Sequence, residues 1–268
     1  MRRKPAVAGY FYPHREKELR KMIEEMIQPK QKKEKAFCLV SPHAGYIYSG
    51  PVAGAVFSAV LLPERFVILG PSHHQIESCF AIMKEGIWET PMGEVPVDTK
   101  LAELIQRESE WIVEDNEAHL SEHSLEVQLP FIQFFKKKFT IVPICIAYFA
   151  SLDKLQQLGK AIASGIQTSG EETMIVASTD MSHYVSQEIA KRKDFLAINK
   201  ILNLEAEGLY EVVKKENISM CGFQPTTAAL VATKLLGAKR GELVKYQTSG
   251  DVTGNYREVV GYAGIKII

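Results

Sequence analysis

Nothing in this 268-residue chain approaches the roughly 20 consecutive apolar residues that a membrane-spanning helix needs. Its first stretch, MRRKPAVAGYFYPHREK, returns to charge before the apolar core of a leader segment can form. The expectation is a cytoplasmic protein without a membrane partner. Excess charge is missing as well: Lys plus Arg and Asp plus Glu both total 32, so no long-range field draws the chain to nucleic acid. Cysteine is scarce. Cys38, Cys79, Cys145 and Cys221 stand far apart with no C-x-x-C among them, which fits reduced thiols better than a disulfide framework. Repeats, low-complexity tracts and Gly/Ser-rich or Pro-rich linkers are absent, so residues 1–268 read as one domain.

What is present is ordinary globular material, 46% hydrophobic and 24% charged. Leu19, Met22, Ile23, Met26 and Ile27 recur at helical spacing until QPK (28–30) stops them, and the basic run KQKKEK (30–35) reads as a solvated linker. Short aliphatic runs predict strands over 36–40, 65–69, 78–83, 139–147, 173–178, 242–247 and 258–267. Between them lie predicted helices: PVAGAVFSAVLL with Pro51 in its first turn, TKLAELIQRE, SLEVQLPFIQFF with a break at Pro130, 152–167, 186–200, 205–214 and 225–236. Buried aliphatic strands alternating with helices predict an α/β fold, a single domain whose central mostly parallel or mixed sheet carries helices on both faces.

Three of these strands run into imidazole. AFCLV leads to His43, RFVIL to the adjacent His73 and His74, and TMIVA through STD to Asp180 and His183. Ligands of open α/β sheets bind beyond the carboxyl ends of the strands, so four of the seven histidines are expected on one rim. Neutral imidazole is the commonest protein metal ligand, and two of them with one anionic donor leave positions open for substrate or oxygen. Asp180 has two further readings, helix N-cap or carboxylate that sets the tautomer of His183. Cys221, in SMCGFQP just ahead of a helix, reads either as a thiolate favoured by the helix dipole or as a thiol packed under a turn.

HLSEH (119–123) matches the H-x-x-E-H of inverted zinc peptidases. The helix is expected to start only near Ser121 or Ser124, so His119 and His123 need not share a face, and His123 or Glu126 is expected to support the rim from behind. Tyr10, Phe11, Tyr12, Tyr46 and Tyr48 read either as the lining of a pocket for a ring-shaped substrate or as core.

The stretches AGYFYP, PHAGYIYSG, ILGPSHH, EHSLEVQLPF, STDMSHY and CGFQP follow one another from residue 8 to 225, and together they resemble the MEMO (mediator of cell motility) family. That resemblance implies a fold similar to the LigB-type class III extradiol dioxygenases. It implies His43, His73 and Cys221 as ligands of one iron or copper ion, zinc being a further option, with His183 and Asp180 as the catalytic pair and His74 behind them. A cysteine in place of the dioxygenases' carboxylate ligand makes the donor set softer. The expected reaction is oxygen-dependent oxidation of a small aromatic substrate. AMMECR-type and radical-enzyme proteins are the partners the resemblance implies. Two other readings use the same pocket: a phosphopeptide-binding adaptor, and a metal-free hydrolase with Cys221, His183 and Asp180 as nucleophile, base and orienter.

Overall fold

In the computed structural model, which describes residues 1–28 and 32–268, the strands are β1 (Arg2–Arg3), β2 (Cys38–Ser41), β3 (Arg65–Pro71), β4 (Phe80–Ile82), β5 (Ile87–Thr90), β6 (Gly93–Pro96), β7 (Ile112–Glu114), β8 (Thr140–Ile146), β9 (Thr173–Ser178), β10 (His183–Val185), β11 (Gly241–Thr248) and β12 (Val259–Ile267). The helices are α1 (Glu16–Met26), α2 (Tyr46–Ser58), α3 (Thr99–Gln106), α4 (Glu117–Leu120), α5 (Leu129–Phe135), α6 (Leu152–Ser169), α7 (Gln187–Leu202), α8 (Ala206–Lys215), α9 (Phe223–Leu236) and α10 (Gly250–Thr253). Pro29 and Lys30 of the expected QPK stop, and the start of the basic run, lie outside the described residues.

One mixed sheet runs in the order β10-β12-β2-β9-β3-β8-β4-β7, with β11 also on β12. Its centre, β2, β9, β3 and β8, is parallel. Alternate residues of these strands go to opposite faces, which is why they read as unbroken aliphatic runs. Val67, Leu69 and Ile175 enter the core beneath α6 and α9, whereas Phe66, Ile68 and Val176 enter the core beneath α1 and α2. A second sheet of β1, β5 and β6 packs at the side. This is the expected α/β domain with helices on both faces. No helix among the described residues is long and apolar enough to cross a membrane.

Two local readings change. Helix α2 begins at Tyr46, five residues before Pro51, which therefore sits inside the helix. The early start is held from outside: Tyr46 N–H donates to Phe11 O at 2.8 Å and its hydroxyl to Val127 O at 2.6 Å. The second change is at SLEVQLPFIQFF, where Glu126–Gln128 form a 3-10 turn and α5 starts at Leu129 with Pro130 in its first turn. Proline needs no N–H partner there.

Candidate metal centre

The adjacent parallel strands β2, β9 and β3 end side by side, so the loops after them meet above the same sheet edge. His43 follows β2 by two residues, Asp180 follows β9 by two, and His73 follows β3 by two. Cys221 arrives from the turn before α9, which begins at Phe223. Its Sγ lies 3.1 Å from His43 Nε2 and receives the Asp180 N–H at 3.3 Å. Gly222 makes this approach possible, because a Cβ there would come under 3.0 Å from Ser178 O and Thr179. The loop after α4 brings a further ring, His123, and one ligand nitrogen each from His43, His73 and His123 lies within 4.8 Å of the other two. Ring centroids are 5.2 Å apart for His43–His73, 5.5 Å for His43–His123 and 4.4 Å for His73–His123.

Hydrogen bonds decide which nitrogen of the His43 and His73 rings carries the proton. Ser178 Oγ donates its single hydrogen to Ser124 O at 2.6 Å, so it accepts from His43 Nδ1 and Gln128 Nε2, both at 2.9 Å. His43 Nε2 is thereby left with its lone pair toward Cys221. His73 Nδ1 lies 2.9 Å from Glu122 Oε1, an acceptor only, so in the neutral ring the proton sits on Nδ1 and Nε2 is bare. His123 Nδ1 faces the same carboxylate oxygen at 3.5 Å.

The electrostatics favour neutral rings at His43 and His123 and the charged form at His73. Burial, reinforced by the neighbouring His73 and His123, pushes His43 well below the ordinary imidazole range. Burial likewise takes His123 down to about 4, against the attraction of Glu122. For His73 burial also pushes downward, but its hydrogen bond and charge contact with Glu122 outweigh it and the ring titrates high. Glu122 is held low despite its burial, chiefly by His73. Asp180 is raised to about 6 by burial, opposed by the His43 and Ala44 N–H groups that its carboxylate accepts. Burial, then the charge of Asp180, pushes the Cys221 thiol up. That direction favours the thiol over the thiolate, with its sulfur in contact with His43 Nε2. The group that the structure brings together is His43, His73 and His123, whose ring nitrogens fit a cation bound through imidazole; Cys221 stands outside that group, beside His43.

His183 takes its place beside this cluster rather than within it. Its N–H and its Nδ1 both bond Ser219, at 2.7 Å to the hydroxyl and 2.8 Å to the carbonyl, so its orienting partner is Ser219 and Nε2 is again the free nitrogen. Asp180 instead holds the His43 N–H at 2.8 Å. His74 turns away from its neighbour, Nε2 donating to Ser121 O at 3.1 Å. Of the aromatic set, Tyr12 and Tyr46 are core, Tyr10 and Tyr48 are exposed, and Phe11 packs 4.8 Å from the His123 ring. In HLSEH the two histidines part: His119 is buried against Cys145 and Trp88, while His123 reaches the rim. His123 as a possible ligand, and Glu122 between two rings, were not foreseen. Their only signal was that motif, whose helical reading hides what a turn there can do.

The Memo-like protein family model matches residues 3–266. A MEMO1 family protein of Pyrobaculum arsenaticum is 44% identical over 98% of each chain, and another from Methanopyrus kandleri is 42% identical over 99% of this chain and 98% of its own. Among solved structures, an uncharacterized protein of Escherichia coli K12 superposes with a TM-score of 0.56 at 13% identity, covering 84% of this chain and 98% of that one, a likeness of fold.

Proposed function

The chain belongs to the Memo-like protein family, and from that premise we propose that it is a metalloprotein holding one redox-active ion, iron or copper, through His43, His73 and Cys221, with His123 as an additional nitrogen donor. Zinc suits the same donors without redox chemistry. The observation that supports this reading is one ring nitrogen each of His43, His73 and His123 lying within 4.8 Å of the other two, with the Cys221 sulfur, which stands outside that group of three, 3.1 Å from His43 Nε2.

A bound iron or copper ion would supply Lewis acidity and electron transfer to or from dioxygen. The chain's own residues do the rest. His183, fixed through Nδ1 by Ser219, offers Nε2 to take the proton of a substrate hydroxyl. Asp180 holds the backbone of His43 and, through its own N–H, the Cys221 sulfur, so the two donors keep their spacing. Phe11 presents an apolar wall against His123, suited to a small aromatic substrate. Oxygen-dependent oxidation of such a substrate is the activity we assign.

The adaptor reading is less well supported, because His43 and His123 are held neutral and the buried Glu122 and Asp180 carboxylates repel a phosphate dianion. A hydrolase built on Cys221 would need its thiol paired with His183, whereas the sulfur bonds His43.

Anaerobic titration with ferrous and with cuprous ion tests the proposal. One equivalent is expected to bind, and both His73→Ala and Cys221→Ser are expected to abolish tight uptake; unaltered affinity and stoichiometry in both variants would overturn the ligand set. With metal and a catechol present, oxygen consumption is expected, and His183→Asn should slow it by about 10²–10⁴-fold while metal uptake stays intact.

A further inference from the structure

Two glutamates four residues apart, Glu122 and Glu126, are both completely buried, yet they are neutralised differently. Glu126 has a guanidinium of its own: it pairs with Arg3 and accepts from Tyr12 and from the N–H groups of Ala6 and Val7. Glu122 has none. Among the described residues its ion-pair neighbours are His73 and His123 alone, at 2.9 and 3.5 Å. Arg3 passes close by, but it donates to the Glu122 backbone carbonyl, at 2.7 Å. A buried carboxylate without a permanent cation is costly unless a positive charge arrives from elsewhere.

The two oxygens are divided among nearby N–H groups. Oε2 accepts the His73 backbone N–H at 2.6 Å, and Oε1 accepts the Ser124 N–H at 2.8 Å besides His73 Nδ1. One carboxylate thus faces the Nδ1 sides of two rings whose ligand nitrogens lie within 4.8 Å of each other.

We propose that Glu122 is the positioning residue of this centre, a single buried carboxylate that sets the tautomer and aim of both His73 and His123 and whose charge is balanced by the ion they bind. This rests on the metalloprotein reading above and adds to it a residue that touches neither ion nor substrate. Glutamine is the informative replacement. It matches the shape but lacks the charge, and its NH₂ would confront one of the N–H donors that Glu122 accepts.

Cobalt(II) alone serves as the probe, followed by absorption of its d–d bands, beside nitrogen-15 spectra of the histidines in the metal-free wild type at pH 8. Wild type is expected to bind one cobalt(II). Glu122→Gln is expected to bind about 10–100-fold more weakly with altered bands, and Glu122→Asp to recover part of the affinity. Binding within twofold of wild type and identical bands in Glu122→Gln would overturn the inference while leaving the metal reading standing. A wild type that takes up no cobalt, ferrous or cuprous ion defeats the metal reading and this inference with it. The spectra need no variant to fold: Nδ1–H tautomers for both His73 and His123 support the assignment, and an Nε2–H tautomer in either ring overturns it.

Discussion

Gly222 lets a sulfur reach the end of a strand that any larger residue would hold away. A side-chain carbon there meets the backbone carbonyl of Ser178, which cannot swing aside as a flexible side chain would. Gly222→Ala is therefore expected to destabilise the protein by about 1–3 kcal/mol through overpacking and to displace Cys221 from His43. Urea denaturation and metal titration check the two halves separately, and a variant with wild-type stability and affinity would show that the turn has room. The other cysteines differ in kind. Cys38 and Cys145 are fully buried, with burial pushing the Cys38 thiol up to about 12, which agrees with their reading as small apolar side chains. What set Cys221 apart in the sequence was its polar approach and the Gly after it, and both mattered. The upward shift of its thiol did not follow from its place before a helix, because its chief cause is burial by residues distant in the chain.

Strand β1 spans only Arg2–Arg3, yet it ties the start of the chain to the loop that carries Glu122 and His123. The Arg3 guanidinium is fully buried, lies 4.3 Å from the Trp88 ring centroid and donates to the carbonyls of His119 and Glu122 while pairing with Glu126. Arg3→Met would leave the Glu126 carboxylate buried and unpaired, at a cost of about 3–5 kcal/mol. Thermal unfolding of Arg3→Met, compared with Arg3→Met/Glu126→Gln, checks this: the double variant is expected to recover part of the loss, and equal instability of the two would place the cost in packing instead. On the other side, Gly70 near the end of β3 lets the same loop close down, since a Cβ there would come under 3.0 Å from Ser124 Oγ and Leu125 Cδ1. The long central elements were legible because burial on both faces leaves aliphatic runs. The hairpin of β5 and β6 was not, and neither were β7 and β10, because these short strands mix polar residues with apolar ones and lack the continuous apolar run that marked β2 and β4.

Across the whole molecule, the buried titratable groups give stability a pH dependence that can be signed. In the unfolded chain the histidines take up protons below about 6.5, whereas in the folded, metal-free protein His119 is held down to about 3 and His123 to about 4, both mainly by burial, and His43 is lowered too. Their contribution is complete above the unfolded value and is lost as pH falls toward the folded ones. Asp180, raised to about 6, and Asp194, also raised by burial, act in the opposite direction, so they offset part of that loss. The net expectation for metal-free protein is a loss of about 1 kcal/mol per pH unit between pH 6.5 and 5, read from urea midpoints; greater stability at pH 5 would reverse the sign. Metal at a hundred times its dissociation constant is expected to add about 2.7 kcal/mol, seen as a higher melting temperature that Cys221→Ser largely abolishes. The alternation of aliphatic strands with helices, and the imidazoles and carboxylate placed two residues past three strands, follow from the order of residues alone, because period and strand length are local properties. Which loops meet above those strands is a matter of packing. Parallel neighbours set β2, β9 and β3 side by side, while Arg3, Glu126 and Gly70 deliver His123 and Glu122 from a turn with no period of its own, since contacts between distant residues leave no mark on local spacing.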